Sequence, residues 1–203
     1  DPDYTEHHLQ VLWGATHMLP PLAILHWPWS WWRNDYGPSQ LNWMNVDIET
    51  FDVMMCAAMV HRIGVSYPLP KLPERLRERL SYHLQIFKDH IAPVLPTATL
   101  LSLTDSPFRG NRGERNSAWQ LTSNLNSVNE VHLVMSLKLE NSAQSAKFKP
   151  TQLEANQRYV VVDLETHNSS TVLGKELTGE LLSEIAGNKN SWIVEIRPEK
   201  ARL

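Results

Sequence analysis

The chain has 203 residues, enough for one large domain or two small ones, and its 42% apolar and 20% charged residues are an ordinary globular composition. A formal charge of −3 offers no basic face for nucleic acid or an anionic membrane. A lone cysteine, Cys56, excludes an intrachain disulfide, and the longest nearly uncharged stretch is broken by Pro20, Pro21 and Pro28, whereas a membrane helix needs about 20 unbroken apolar residues.

The chain opens on Asp1 without an initiator Met or a charged-then-apolar leader, as expected for a piece of a longer polypeptide. In the opening "DPDYTEHH", Asp1 and Asp3 flank a proline. Residues two apart in an extended segment point the same way, so both carboxylates could serve one site. Glycoside hydrolysis needs such a pair: an acid for the leaving oxygen, and a carboxylate as nucleophile or base. The same residues also read as N-terminal caps of a helix beginning near Thr5.

Four of the eight tryptophans fall in "HWPWSWW", residues 26–32. Pro28 disfavours a helix there, leaving a loop or a broken extended segment. Indoles on a loop either pack down as a plug or line a concavity, and a sugar's C–H face lies well on an indole. Trp27, Trp29, Trp31 and Trp32 would supply such a wall, with His26, Arg33, Asn34 and Asp35 as partners for hydroxyls. Wall and plug both remain open on these residues alone.

Helical periodicity follows. "FDVMMCAAMVHRIG" (51–64) is apolar on every face, which predicts a buried helix ended by Gly64, with Cys56 as a small core residue. Leu76, Leu80, Leu84 and Phe87 form one stripe of a second helix, opened by Pro73 and closed by Pro93. Near Pro96 the period changes to two. Six short runs, from "TATLLSLT" to "SWIVEIRP", predict an antiparallel β-sandwich, with "EVHLVMSLKL" wet on one face. The loop "SPFRGNRGERN" reads as a solvated hairpin tip. Glu6, His7, His8 and His17 lack zinc spacing, and there is no P-loop, GxGxxG or GxSxG, so no metal or cofactor is expected.

Several segments together resemble the C-terminal part of an α-galactosidase-like glycoside hydrolase of family 36 or its clan. "HHLQVLWGATHMLPP" is similar to the segment after the acid/base loop, and "HRIGVSYPLPKLPERLRERLSYHLQIFKDHIAPVL" to the last barrel strand and final helix. "ERNSAWQLTS" and "RYVVVDLE…LTGELL…SWIVEIRP" are similar to the opening and closing strands of the β-sandwich. The resemblance implies α/β plus all-β architecture. Residues 1–95 would be the C-terminal portion of a (β/α)8 barrel with its active-site loops, and residues 96–203 an antiparallel β-sandwich. It further implies removal of a terminal sugar, a galactoside or another such as sialic acid, with the acid/base role carried to Asp1 or Asp3.

The family's Lys-x-Asp nucleophile strand has no counterpart here, and the tryptophan segment departs from the family pattern. A closed barrel needs about 200 residues, so the remainder of the barrel would be a partner N-terminal to this segment. The alternatives are a non-catalytic glycan- or protein-binding sandwich with a helical cap, and a structural sandwich docking through the helix at 51–64. Homo-oligomerisation is compatible with each.

Overall fold

The computed structural model of the protein describes residues 5–26, 46–65, 69–105, 116–124, 130–138 and 147–200. Helix α1 (Thr5–Met18) begins where the acidic opening predicts. Pro20 in extended conformation and Pro21 in a short 3-10 turn redirect the chain into strand β1 (Leu25–His26). Helix α2 (Ile48–Ala58) is capped by Asp47, whose carboxylate accepts from the Thr50 N–H at 2.7 Å.

The run 51–64 is not one helix. It ends at Ala58, and Arg62–Ile63 form strand β2, parallel to β1 with Leu25 opposite Arg62 and His26 opposite Ile63. An apolar run suits a buried helix and a buried parallel strand equally, so periodicity alone could not divide it. Helix α3 (Glu74–Ile86) follows Pro73 and continues as a π-helical turn, Phe87–Ile91, with the Ala92 N–H bonded to the Phe87 carbonyl at 2.8 Å. Pro93 cannot extend it.

The C-terminal half forms one six-stranded antiparallel sheet from β3 (Thr99–Ser102), β4 (Asn116–Asn124), β5 (Glu130–Lys138), β6 (Arg158–Asp163), β7 (Ser169–Leu173) and β8 (Ser191–Pro198). The order is β3-β4-β5-β8-β6-β7, so the last strand enters between β5 and β6. Among the described residues the layers over its faces are helices and loops. Side chains of α1, α2 and the π-helical turn pack with Trp119, Leu121, Leu133, Met135 and Ile193 on one face. On the other, Ala118, Val134, Tyr159, Val194 and Ile196 pack with Phe148 and with Leu182 of α4 (Gly179–Ile185).

Strand β5 is therefore buried on both faces, not wet on one. Its polar His132 looked solvent-facing in sequence, yet the ring lies in a closed network. Its Nδ1 accepts from the Gln120 amide at 3.1 Å and Thr122 Oγ1 at 3.0 Å, while its Nε2–H donates to Glu130. Gln120 also pairs with the Thr151 backbone in both directions, accepting at 2.9 Å and donating at 2.8 Å. Satisfied polar groups of this kind are tolerated inside a core.

The first core cluster joins Leu12, Val53 and Ile91 to Leu121 and Leu133, so apolar packing is continuous across Leu95 and Pro96. A separate cluster holds Phe51, Met54 and Met55 of α2 against Leu76 and Leu80 of α3. Both apolar faces of α2 are thus covered within the chain, which removes that helix as a docking surface. Cys56 is buried, as expected, and burial raises its thiol pKa.

Candidate functional site

The parallel pair β1–β2 orders the first half. The Arg62 N–H bonds to Ile24 O at 3.2 Å, and the Gly64 N–H to His26 O at 2.8 Å. Because the strands run the same way, their C-terminal ends, His26 and Ile63, lie on one side. Each strand is followed by a helix, α2 and α3. In sheets of this construction, ligands bind at the C-terminal strand ends.

His26 lies at the C-terminal end of β1 and is 4% exposed. Trp27, Trp29, Trp31, Trp32, Arg33, Asn34 and Asp35 follow it in the chain but lie outside the described residues, as do Asp1 and Asp3. The described residues therefore end at the stem of the tryptophan segment.

Another buried imidazole escaped the sequence reading. His61 precedes β2, is fully buried, and has no hydrogen-bond partner for either ring nitrogen among the described residues. Burial pushes its pKa down to about 4, so the ring is neutral near pH 7. Nothing in "MVHRIG" distinguishes such a histidine from an exposed one.

A charged cluster joins the helices to the sheet. Arg79 of α3 donates from Nε to Asp52 Oδ1 at 2.5 Å, from Nη2 to Asp52 Oδ2 at 2.7 Å, and also to Glu165. His83 Nε2 meets Asp52 Oδ1 at 2.8 Å, and Lys189 Nζ donates to Glu165 Oε2 at 2.7 Å. The Arg79 guanidinium also lies over the Tyr82 ring, 4.6 Å from its centroid. Burial raises the pKa values of Asp52 and Glu165, but their hydrogen bonds and cationic neighbours outweigh it and hold both below the usual carboxylate range.

The adjoining cavity, lined by Cys56, Tyr82 and His83 among others, is about 20 Å³, close to the roughly 15 Å³ that one water needs. With every carboxylate engaged and no room for a substrate, the cluster acts as a tie. Arg79 and His83 lie four residues apart on α3, but that spacing gives no hint of Asp52 or Glu165 as partners.

The fold is shared with solved α-galactosidases. The galactosidase domain of the alpha-galactosidase-sucrose kinase AgaSK matches with a TM-score of 0.67 and 12% identity, over 98% of this chain and 25% of that one. The family 36 α-galactosidase AgaB from Geobacillus stearothermophilus matches with a TM-score of 0.64 and 15% identity, over the same shares. An α-galactosidase from Lactobacillus brevis gives 0.53 and 16%, over 74% of this chain and 20% of its own. At these identities the likeness establishes fold. The chain spans about a quarter of the length of the first two. No protein-family model matches the sequence, and no curated protein does.

Proposed function

We propose that this chain is the C-terminal section of a glycoside hydrolase that removes a terminal sugar, α-galactoside-like in its chemistry. Residues 1–95 supply the last units of a (β/α)8 barrel, and residues 96–203 an antiparallel β domain that braces it. The observation that carries this reading is the parallel β1–β2 pair, each strand followed by a helix, with the tryptophan segment leaving the C-terminal end of β1. The likeness of fold to α-galactosidases over 98% of the chain supports it.

In such alternation helices run back along the strands, so the start of α1 shares the rim from which residues 27–45 leave. Asp1 and Asp3 would then stand near the indoles, one of them as proton donor to the leaving oxygen. The tryptophans would stack on the sugar's C–H face, with Arg33, Asn34 and Asp35 bonding its hydroxyls. The second carboxylate and the remaining barrel units would come from further polypeptide.

The test is calorimetric titration of the complete polypeptide with monosaccharides, galactose and sialic acid included, for the parent and for Trp27→Ala and Trp29→Ala. Affinity at least about tenfold lower, equivalent to about 1.4 kcal/mol, is expected with the melting temperature nearly unchanged. A melting temperature lower by several degrees at unchanged affinity would make the segment a plug. Sugar binding without glycoside cleavage by the complete polypeptide would favour a non-catalytic module.

A further inference from the structure

Among the described residues, the face of the sheet that carries Val194 and Ile196 becomes more polar at one end. There Ser136 pairs with Trp192 and Asn116 with Lys138, and these residues floor a cleft of about 180 Å³. That is many times the roughly 15 Å³ one water needs. Its walls are Gly179 and Ser183 of α4 and the turn after that helix, Asn188 to Asn190.

The turn is held in one shape. Gly187 and Asn188 adopt left-handed φ angles of 77° and 57°. The Asn188 N–H bonds to Ser183 O at 2.8 Å, and the Lys138 N–H to Asn190 O at 2.6 Å. Walls fixed in advance lose little freedom when a ligand arrives.

The lining leans toward donors. Ser183 Oγ donates to Asn188 Oδ1 at 3.2 Å, which orients that amide and leaves its NH2 as donor. Lys189 is committed to Glu165 at 2.7 Å and Asp163 at 3.5 Å. The Asn190 amide is turned to Glu49, which stands outside the lining. Among the described residues, Lys138 has no ion-pair partner and no carboxylate lines the cleft.

We infer that this cleft binds a small oxyanion of monosaccharide size, a sugar carboxylate or a sugar phosphate, with Lys138 as counter-charge and Asn188 and Ser136 as hydrogen-bonding groups. The inference does not depend on the proposed hydrolase role, because the cleft lies wholly on the β domain and its adjoining turn.

The experiment is a ¹H–¹⁵N titration of the full chain at constant ionic strength with glucuronate, glucose 1-phosphate and neutral glucose. Saturable shifts of the Lys138, Asn188 and Asn190 amides are expected with at least one of the two acids, and whichever binds identifies the anion. Lys138→Gln should weaken that binding about fivefold or more, the size of one partly exposed charge contact, without lowering the melting temperature. Ser136→Leu, which fills the floor, should abolish it. No saturable shift with either acid, equal binding of glucose, or unchanged affinity in Lys138→Gln would overturn the inference.

Discussion

His61 and His132 are both fully buried, and what surrounds each ring separates them. His132 spends both nitrogens on neighbours, and burial outweighs Glu130 to lower its pKa. His61 has no such neighbour among the described residues and falls to about 4. An unfolded histidine takes up a proton below about 6.5, whereas native His61 does so only below about 4. Its contribution to stability is therefore complete above pH 6.5 and declines as the pH falls toward 4. Urea unfolding should lose about 2 kcal/mol between pH 7 and pH 5 from this group alone. His61→Phe should flatten that window, and an equal loss in the variant would assign it elsewhere. The depressed carboxyls of Asp52, Glu165 and Glu195 act lower, holding stability above about pH 4 and losing it below.

Arg79 connects three elements: its own α3, Asp52 on α2, and Glu165 in the turn between β6 and β7. The three side chains are only 16 to 28% exposed, so removing the cation takes a charged partner from two half-buried carboxylates and leaves Asp52 only His83 and Glu165 only Lys189. Arg79→Ala should cost about 2 kcal/mol in chemical denaturation, between the values for exposed and fully buried pairs. A double-mutant cycle with Glu165→Gln should show coupling of about 1 kcal/mol. Additive losses would mean that the helix-to-sheet ion pair contributes nothing of its own. Strand β5 makes a related point at this scale. Its alternation foretold a strand, but alternation cannot tell a solvated polar face from one whose His132 is satisfied by Gln120 and Thr122.

Across the whole molecule, the change of period near Pro96 divides the chain by secondary structure and not by core. Leu12, Val53, Cys56 and Ile91 pack against Trp119, Leu121 and Leu133. Residues 96–203 alone would therefore expose one apolar sheet face. That fragment should bind a hydrophobic dye and melt without a sharp transition, whereas the full chain should melt cooperatively. A fragment that stays monomeric with a sharp transition would show that the first half adds no needed cover. Six of the exposed large apolar residues, Val11, Met18, Leu19, Leu22, Leu25 and Val65, lie on α1, its link to β1, β1 itself and the residues after β2. A two-stranded parallel pair is not stable alone, so this edge fits the further barrel units proposed above.

The sequence by itself determined what depends on neighbours along the chain. Six strands in the second half, the helix from Thr5 and the helix after Pro73 were all legible, because period and capping are local properties. It also singled out the tryptophan segment, whose composition no structure was needed to notice. Tertiary structure alone decided the rest. Strands of two residues carry no period, so β1 appeared only once it paired, and β2 was foreshadowed only by the resemblance of "HRIGV" to a barrel strand. Strand β8 enters between β5 and β6 through contacts far apart in the chain. The Asp52–Arg79–Glu165–Lys189 tie and the cleft beside Lys138 gather side chains from segments that no spacing rule connects. Long-range burial chooses such neighbours, because the free energy of hiding apolar surface depends on what is near in space and is blind to order in the chain.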